Sequence, residues 1–241
     1  MKAIVLAGGR GTRLNEISES QNKCVIKLAG KLLIEYSLDY AMSVGIEEII
    51  VVVGYKATDI INACGINYKG KRIRYVLQSE QRGLVHAIEC CANAIGDDDF
   101  MLSLGDEILV SPKHRAMFEM FQKERVFGIC GTVGVEDKKR ISRTYAIVHD
   151  GDNRIYRLIE KPTKPMNNLM GTGNCLFRNE ILAYIEQTPI NQQRGEKELP
   201  DLIQCAIDEG NVVKSFVICD YYVNVNSEED LREAADHLSA R

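Results

Sequence analysis

Met1-Lys2-Ala3-Ile4-Val5-Leu6-Ala7-Gly8-Gly9-Arg10-Gly11-Thr12-Arg13 opens the chain with an apolar run that stops at three glycines, a hydroxyl and two arginines. A short apolar run closed by glycine reads as a buried strand, here delivering a donor-rich, cationic loop. Glycines let backbone N–H groups close around an anion, and arginine adds a fork of charged donors, so the loop reads as a polyphosphate cradle. The plain alternative is a tight turn, which glycine favours anywhere. Two better-known anion loops do not match. A P-loop needs glycine where Arg13 stands, then Lys-Ser or Lys-Thr; a dinucleotide fingerprint begun at Gly9 needs glycine where Leu14 stands.

Outward from this strand the pattern alternates. Residues 47–53, 72–77 and 100–104 read as further strands, and 32–44, 57–63 and 83–94 as helices. Alternation of this kind predicts a mostly parallel sheet covered on both faces, with ligands beyond the carboxyl ends of the strands. The Gly8–Arg13 loop and Asp106 both fall at such ends. The second half is less regular. Strands are predicted at 126–133, 171–177 and 212–218, with a hairpin of 145–149 and 154–160 turned at Asp150-Gly151-Asp152-Asn153. Residues 136–143 read as a charged loop, 198–208 as a helix, and Ser227-Glu228-Glu229-Asp230 as a capping box opening a final helix. No repeat or linker interrupts the chain, so one domain over 1–241 is expected.

Composition narrows the function classes. The 241 residues are 45% hydrophobic and 27% charged, an ordinary globular mix. No stretch reaches the ~20 apolar residues of a membrane span, and the apolar start is too short for a signal peptide. The eight cysteines are scattered, without C-x-x-C spacing, which predicts reduced buried thiols, no zinc and a cytoplasmic setting. Charge is uneven: residues 1–31 hold six Lys or Arg against two Glu, and residues 196–241 hold eleven Asp or Glu against four Lys or Arg. With an acidic pI near 5.7, a compact anionic ligand fits better than a nucleic acid.

Several separated segments, in order, resemble the sugar-1-phosphate nucleotidylyltransferases (NDP-sugar pyrophosphorylases). Leu6 to Leu14 is similar to their signature loop, and Lys23 to Leu33 to their lysine segment. Gln78-Ser79-Glu80-Gln81-Arg82-Gly83 resembles the base-binding segment, Leu104-Gly105-Asp106 the metal-aspartate segment, and Glu160-Lys161-Pro162 the sugar-phosphate segment. Gly173 matches the sugar-side glycine, 195–201 the late acidic segment, and Val223 to Leu231 the second metal segment.

The resemblance implies a single Rossmann-like three-layer α/β/α sandwich with a mixed, mostly parallel sheet, GT-A-like, with a nucleotide-binding half (1–110) and an acceptor-binding half (111–241). It implies an Mg²⁺-dependent transfer in which a sugar 1-phosphate attacks the α-phosphorus of an NTP, UTP or dTTP favoured over CTP. Arg13, Lys23, Asp106 and Lys161 are the expected catalytic residues. Leu6, Ala7, Gly8, Gly9, Gly11, Thr12, Arg13, Gln78 and Gly83 are expected at the nucleotide. Tyr145, Glu160, Lys161 and Gly173 are expected at the acceptor, and Asp106 and Asn224 at the metal. The nucleophile is already ionised, so the chemistry asks for cations and positioning, with no general base. Neither nucleic acid nor membrane is an expected partner, and assembly into a homo-oligomer is left open. A cytidylyltransferase for a non-sugar phosphate and a silent nucleotide-sugar sensor are the alternative readings.

The pattern is not followed everywhere. Asn224 stands where many relatives have aspartate, and Glu107 follows Asp106 where Asn or Thr is usual, raising the expectation of altered contacts near the ribose or metal. Ala146 follows Tyr145 in place of a glycine, and the customary proline before Lys23 is missing. Locally, Asp106 also reads as a helix cap, Glu160-Lys161-Pro162 as a strand end, and His86, Tyr221 and Tyr222 as packing residues.

Overall fold

The computed structural model describes residues 1–11 and 20–239. Strand β1 (Lys2–Leu6) lies at the centre, hydrogen-bonded in parallel to β2 (Ile49–Val53) on one side and β4 (Phe100–Leu104) on the other. Beyond β2 comes β3 (Lys71–Leu77), also parallel. β4 is followed by a short strand of its own, β5 (Glu107–Val110). Past β4 the sheet turns antiparallel. The nine-residue β9 (Leu169–Phe177) pairs with β4 and β6 (Gly128–Gly134), and through its first residues with β7 (Tyr145–His149), which carries β8 (Ile155–Glu160). β10 (Val213–Val217) adds to β6 in parallel, and the two-residue strand Asn67–Tyr68 lies antiparallel at the outer edge of β3, giving ten strands in one mixed sheet among the described residues.

The two faces are dictated by the period of two along each strand. Ala3 and Val5 of β1, with Ile49, Val51 and Val53 of β2, pack with Ile34 and Leu38 of α1 (Leu33–Ser43), Ile60 of α2 (Ala57–Cys64) and Phe121 of α4 (His114–Glu124). Ile4, Ile50 and Val52 point the other way, to Val85 and Ile88 of α3 (Gly83–Cys90) and Leu202 and Ile203 of α5 (Leu199–Asp208). Both faces are covered, so β2 is apolar along its whole length and β1 from Ala3 to Leu6, as expected for buried parallel strands. Each fully buried Phe or Ile contributes about 1.5–3 kcal/mol relative to exposure. A smaller third cluster joins Ile26 and Leu28 to Ile108, Val223 and Ala234, seating β11 (Tyr221–Asn224) and α6 (Glu228–Ser239) against β5.

The three-layer expectation therefore holds, with differences of detail. The helix predicted over 83–94 breaks at Cys91 into α3 and a single turn, Ala92–Ile95. The charged loop holds a 3-10 helix, Lys138–Arg143, capped by the Asp137 carboxylate. β5, β11 and α4 have no counterpart in the reading of the sequence; β5 and β11 are four residues each and make sense only as each other's partner.

Candidate active site

Residues 7–11 leave the carboxyl end of β1, where the parallel strands aim them beyond the sheet. Gly8 lies so close to Gln78 and Gly54 that a Cβ on it would sit 3.2 Å from Gln78 Oε1, and its carbonyl accepts from Tyr55 N–H. Leu6 is held by Gly105 N–H on its carbonyl, and Ala7 donates to Val52. Gly9 is exposed, with open space where a side chain would go. Gly11 has φ +62°, a left-handed backbone that only glycine adopts without strain, and it lies over the stem of Lys23. Thr12 and Arg13 lie outside the described residues.

Lys23 is a lysine only 6% exposed. It opens a 3-10 turn, Lys23–Val25, locked from below by the buried Asn22: its Oδ1 accepts from Cys24 N–H, and its amide donates to Tyr55 O and Ala7 O. That anchor ties the lysine to the glycine loop without the missing proline. The ammonium is ion-paired with Asp106 Oδ2 and donates to Asn226 Oδ1 at 3.3 Å. Lysine is almost never buried unless paired, and here the pair is the reason it is tolerated.

Asp106 follows β4 and is stitched to β11 by Val225 N–H on its carbonyl, 2.9 Å. Asn224 ends β11 opposite Glu107, and its Oδ1 accepts from Asn226 Nδ2 at 2.9 Å. Asp106 and Asn224 thus face one another through Lys23 and Asn226. One carboxylate and one amide carbonyl suit a hard cation that completes its shell with phosphate oxygens and water. Among the described residues no group of three His, Cys, Asp or Glu gathers, so most of the shell of a metal here would be water or substrate oxygens.

Gln78 follows β3 and is 5% exposed; its amide donates to Gly83 O at 3.0 Å and meets His86 Nδ1 at 3.1 Å. His86 is packed, as read from the sequence, and it also orients Gln78. Gly83 has φ +87°, and a Cβ on it would come 2.6 Å from Glu196 Oε2. Glu196 belongs to a small antiparallel hairpin, Ile190–Asn191 with Glu196–Lys197, which the late acidic segment forms.

A cavity of about 1000 Å³ opens beside these groups, lined by Tyr145, Glu160, Lys161, Gly173, Arg194, Glu198 and Asn224 among others. Every acceptor residue expected from the sequence is on its wall. Lys161 has φ +40°, a strained conformation for a lysine preceding proline, and its Nζ lies 3.2 Å from Glu160 Oε1. Arg194 was not foreseen: it reaches Glu160 at 3.2 Å, Glu196 at 2.5 Å and Glu198 at 2.7 Å. Burial raises the Glu160 carboxyl above its usual range, against the pull of Lys161 and Arg194. Burial, then the neighbouring Glu160, pushes Glu198 up to about 7. Tyr145 is buried and commits its hydroxyl to Thr172 O at 2.8 Å, so it presents no free hydroxyl to the cavity.

Glu107 departs from the expectation of contacts near the ribose or metal. Its carboxylate turns into the core and accepts from Gly173 N–H, Asn174 Nδ2 at 2.7 Å and Tyr222 OH at 2.5 Å. Burial pushes it up to about 8, Asp106 adds to this, and the Tyr222 hydroxyl and Gly173 N–H oppose it. The one signal in the sequence was a carboxylate heading the apolar run Ile108-Leu109-Val110.

A glycine loop beyond a parallel strand, a buried lysine on an aspartate, and a roomy polar cavity joined to that lysine through Asn226 define a phosphate-handling α/β protein. Comparison places it: residues 2–241 match the family model described as Nucleotidyl transferase, and the chain belongs to that family, among the sugar-1-phosphate nucleotidylyltransferases. It is 34% identical over 242 residues to UTP–glucose-1-phosphate uridylyltransferase AglF of Haloferax volcanii, covering 99% of this chain and 96% of that one. It is 33% identical over 238 residues to a glucose-1-phosphate thymidylyltransferase of Streptomyces griseus, covering 97% of this chain but only 64% of that protein. The chain likewise spans 65% of the nucleotidyltransferase Agl11 of Haloferax volcanii, at 30% identity and 97% coverage of its own length. In fold it matches a UDP-glucose pyrophosphorylase complexed with UDP-glucose, TM-score 0.88 at 22% identity, over 100% of this chain and 99% of that one.

Proposed function

We propose that this chain joins an NTP, UTP or dTTP, to a sugar 1-phosphate, releasing pyrophosphate and an NDP-sugar, with Mg²⁺ as cofactor. The observation that carries this reading is Lys23, a buried ammonium held between the glycine loop, Asp106 and Asn226, the last of which lines the acceptor cavity. The named activities of the uridylyl and thymidylyl relatives support the choice of base.

Two polyanions must meet for this reaction, and their repulsion is the main barrier. Backbone N–H groups of residues 8–11 cradle the triphosphate; the family resemblance assigns Thr12 to the triphosphate as well and Arg13 to the departing pyrophosphate. Gln78 and the Gly83 backbone read the pyrimidine edge. Lys161 grips the acceptor phosphate, and Glu160 accepts from sugar hydroxyls. An oxygen of the acceptor phosphate attacks the α-phosphorus in line; the new P–O bond forms as the bond to the β-phosphate oxygen breaks, and its electron pair leaves with pyrophosphate. No proton moves. Lys23 neutralises charge between the α-phosphate and the incoming phosphate. Asp106 and Asn224 would hold the Mg²⁺, which supplies charge neutralisation at the phosphate oxygens when bound.

The test is a matrix of NTPs against phosphorylated acceptors, read by pyrophosphate release. Turnover with UTP or dTTP and a hexose 1-phosphate supports the proposal. A pair formed only by CTP and a non-sugar phosphate replaces it with the cytidylyltransferase reading. Tight nucleotide-sugar binding without turnover replaces it with a sensor.

A further inference from the structure

Both side chains assigned above to a metal already face cationic or donor groups of the chain itself. Asp106 Oδ2 is ion-paired with the Lys23 ammonium, and Asn224 Oδ1 accepts from Asn226 Nδ2 at 2.9 Å. Asn226 connects the two, because its Oδ1 accepts from Lys23 Nζ at 3.3 Å while its Nδ2 also reaches Asn224 O at 3.2 Å. Asn226 is itself pinned: its N–H donates to Asp230 Oδ2 at 2.8 Å, and Ser227 Oγ accepts from Asp230 N–H, so the cap of α6 fixes its backbone. Gly11 closes over the lysine stem from the other side.

We propose that Lys23 and Asn226 form a resident counter-charge for the metal position, which a divalent cation has to displace, and that this displacement is what releases the Lys23 ammonium to the phosphates. The inference rests on the assignment of Asp106 and Asn224 to a metal. An ammonium and a divalent cation cannot both sit against one carboxylate oxygen without strong repulsion at a few ångströms in a partly buried site. Whichever cation is there, Asp106 is neutralised; when the metal takes it, the lysine loses its partner and the nearest new anions are those of the substrates. Lysine suits such a hand-over better than arginine, being a compact charge on a flexible stem. Asn226 is then a positioning residue, holding the lysine and the Asn224 carbonyl in reach of one another. The Asp106 carboxylate and the Asn224 carbonyl thus stay satisfied in a partly buried site, where an unpaired charge is costly.

The experiment is Mn²⁺ titration of the nucleotide-free protein, followed by electron paramagnetic resonance, with turnover playing no part. Lys23→Met should bind Mn²⁺ about tenfold more tightly than the parent protein, because one positive charge has gone from beside Asp106. Asn226→Ala should tighten binding by a smaller factor, about threefold, by freeing Asn224 Oδ1 and loosening the lysine. Circular dichroism checks each variant, and Asn226→Ala carries the test if Lys23→Met does not fold. Equal or weaker Mn²⁺ binding in a folded Lys23→Met protein, or in Asn226→Ala where that variant carries the test, overturns the inference while leaving the metal assignment intact. Mn²⁺ binding that is unaffected by Asp106→Asn overturns both.

Discussion

Gly173 donates its backbone N–H to the carboxylate of Glu107, at 2.9 Å to Oε1 and 3.2 Å to Oε2. A strand residue normally gives that donor to its neighbouring strand. Here the pairing of β9 with β6 shifts between Gly171 and Cys175, which leaves residues 172–174 out of the ladder and turns the Gly173 N–H inward. One buried carboxylate thereby holds β9 and β11 against β5, directly under the cavity wall.

A methyl added at Gly173 has no room, since a Cβ there overlaps Leu104 Cγ and comes within 3.0 Å of Glu107 Oε1. Gly173→Ala is expected to lower stability by about 1–3 kcal/mol and to cut pyrophosphate release as the wall shifts. Gly134→Ala is the control: nothing lies within 4 Å of its Cβ position, and its effect should stay within about 0.5 kcal/mol. Urea unfolding of both variants measures the contrast.

Tyr222→Phe removes one of the donors on Glu107 and leaves the ring in place. The loss of a hydrogen bond to a buried carboxyl group should cost about 1–3 kcal/mol, read as a fall in the urea midpoint at unchanged slope. An unchanged midpoint would mean that the hydroxyl contributes nothing to the clamp.

Lys23→Ala deletes the ammonium proposed to bridge the two phosphates. Pyrophosphate release should fall by about a thousandfold while far-ultraviolet circular dichroism is retained. A variant with near-parental turnover would remove Lys23 from the reaction.

Asn224→Asp restores the charge that many relatives carry at this position. A second carboxylate should lower the Mg²⁺ concentration for half-maximal pyrophosphate release by roughly fivefold. If that concentration rises instead, Asn224 does not face the metal.

His114 is buried against Asn174 and stacked on Tyr40 with ring centroids 4.5 Å apart; burial drives it down from 6.5 to about 4, with its bond to Asn174 opposing. The unfolded chain therefore binds the extra proton first as pH falls. The contribution of His114 to stability is complete above about 6.5 and is lost progressively down to about 4, a loss on the order of 3 kcal/mol. Urea midpoints across that window should drop more steeply in the parent protein than in His114→Gln, which cannot titrate. Parallel curves would refute the assignment.

What the sequence determined by itself was local: β1 and its glycine loop, the buried parallel strands, and the short motifs at Lys23, Asp106 and Glu160-Lys161. These are legible because a strand buried on both faces is apolar throughout, and a phosphate loop must be glycine-rich wherever it occurs. The cap at Ser227 was legible too, although Asp230 returns its bond to Asn226 N–H. Only the tertiary structure decided the rest. The Lys23–Asp106 pair joins residues far apart in the chain, and the Glu107 clamp gathers donors from two other strands. Arg194 has Glu196 and Glu198 as chain neighbours but gains Glu160 only when the late hairpin folds over the cavity. No period or motif encodes such meetings, because a charged side chain looks the same in sequence whether water or a buried partner satisfies it; burial alone makes the partner obligatory.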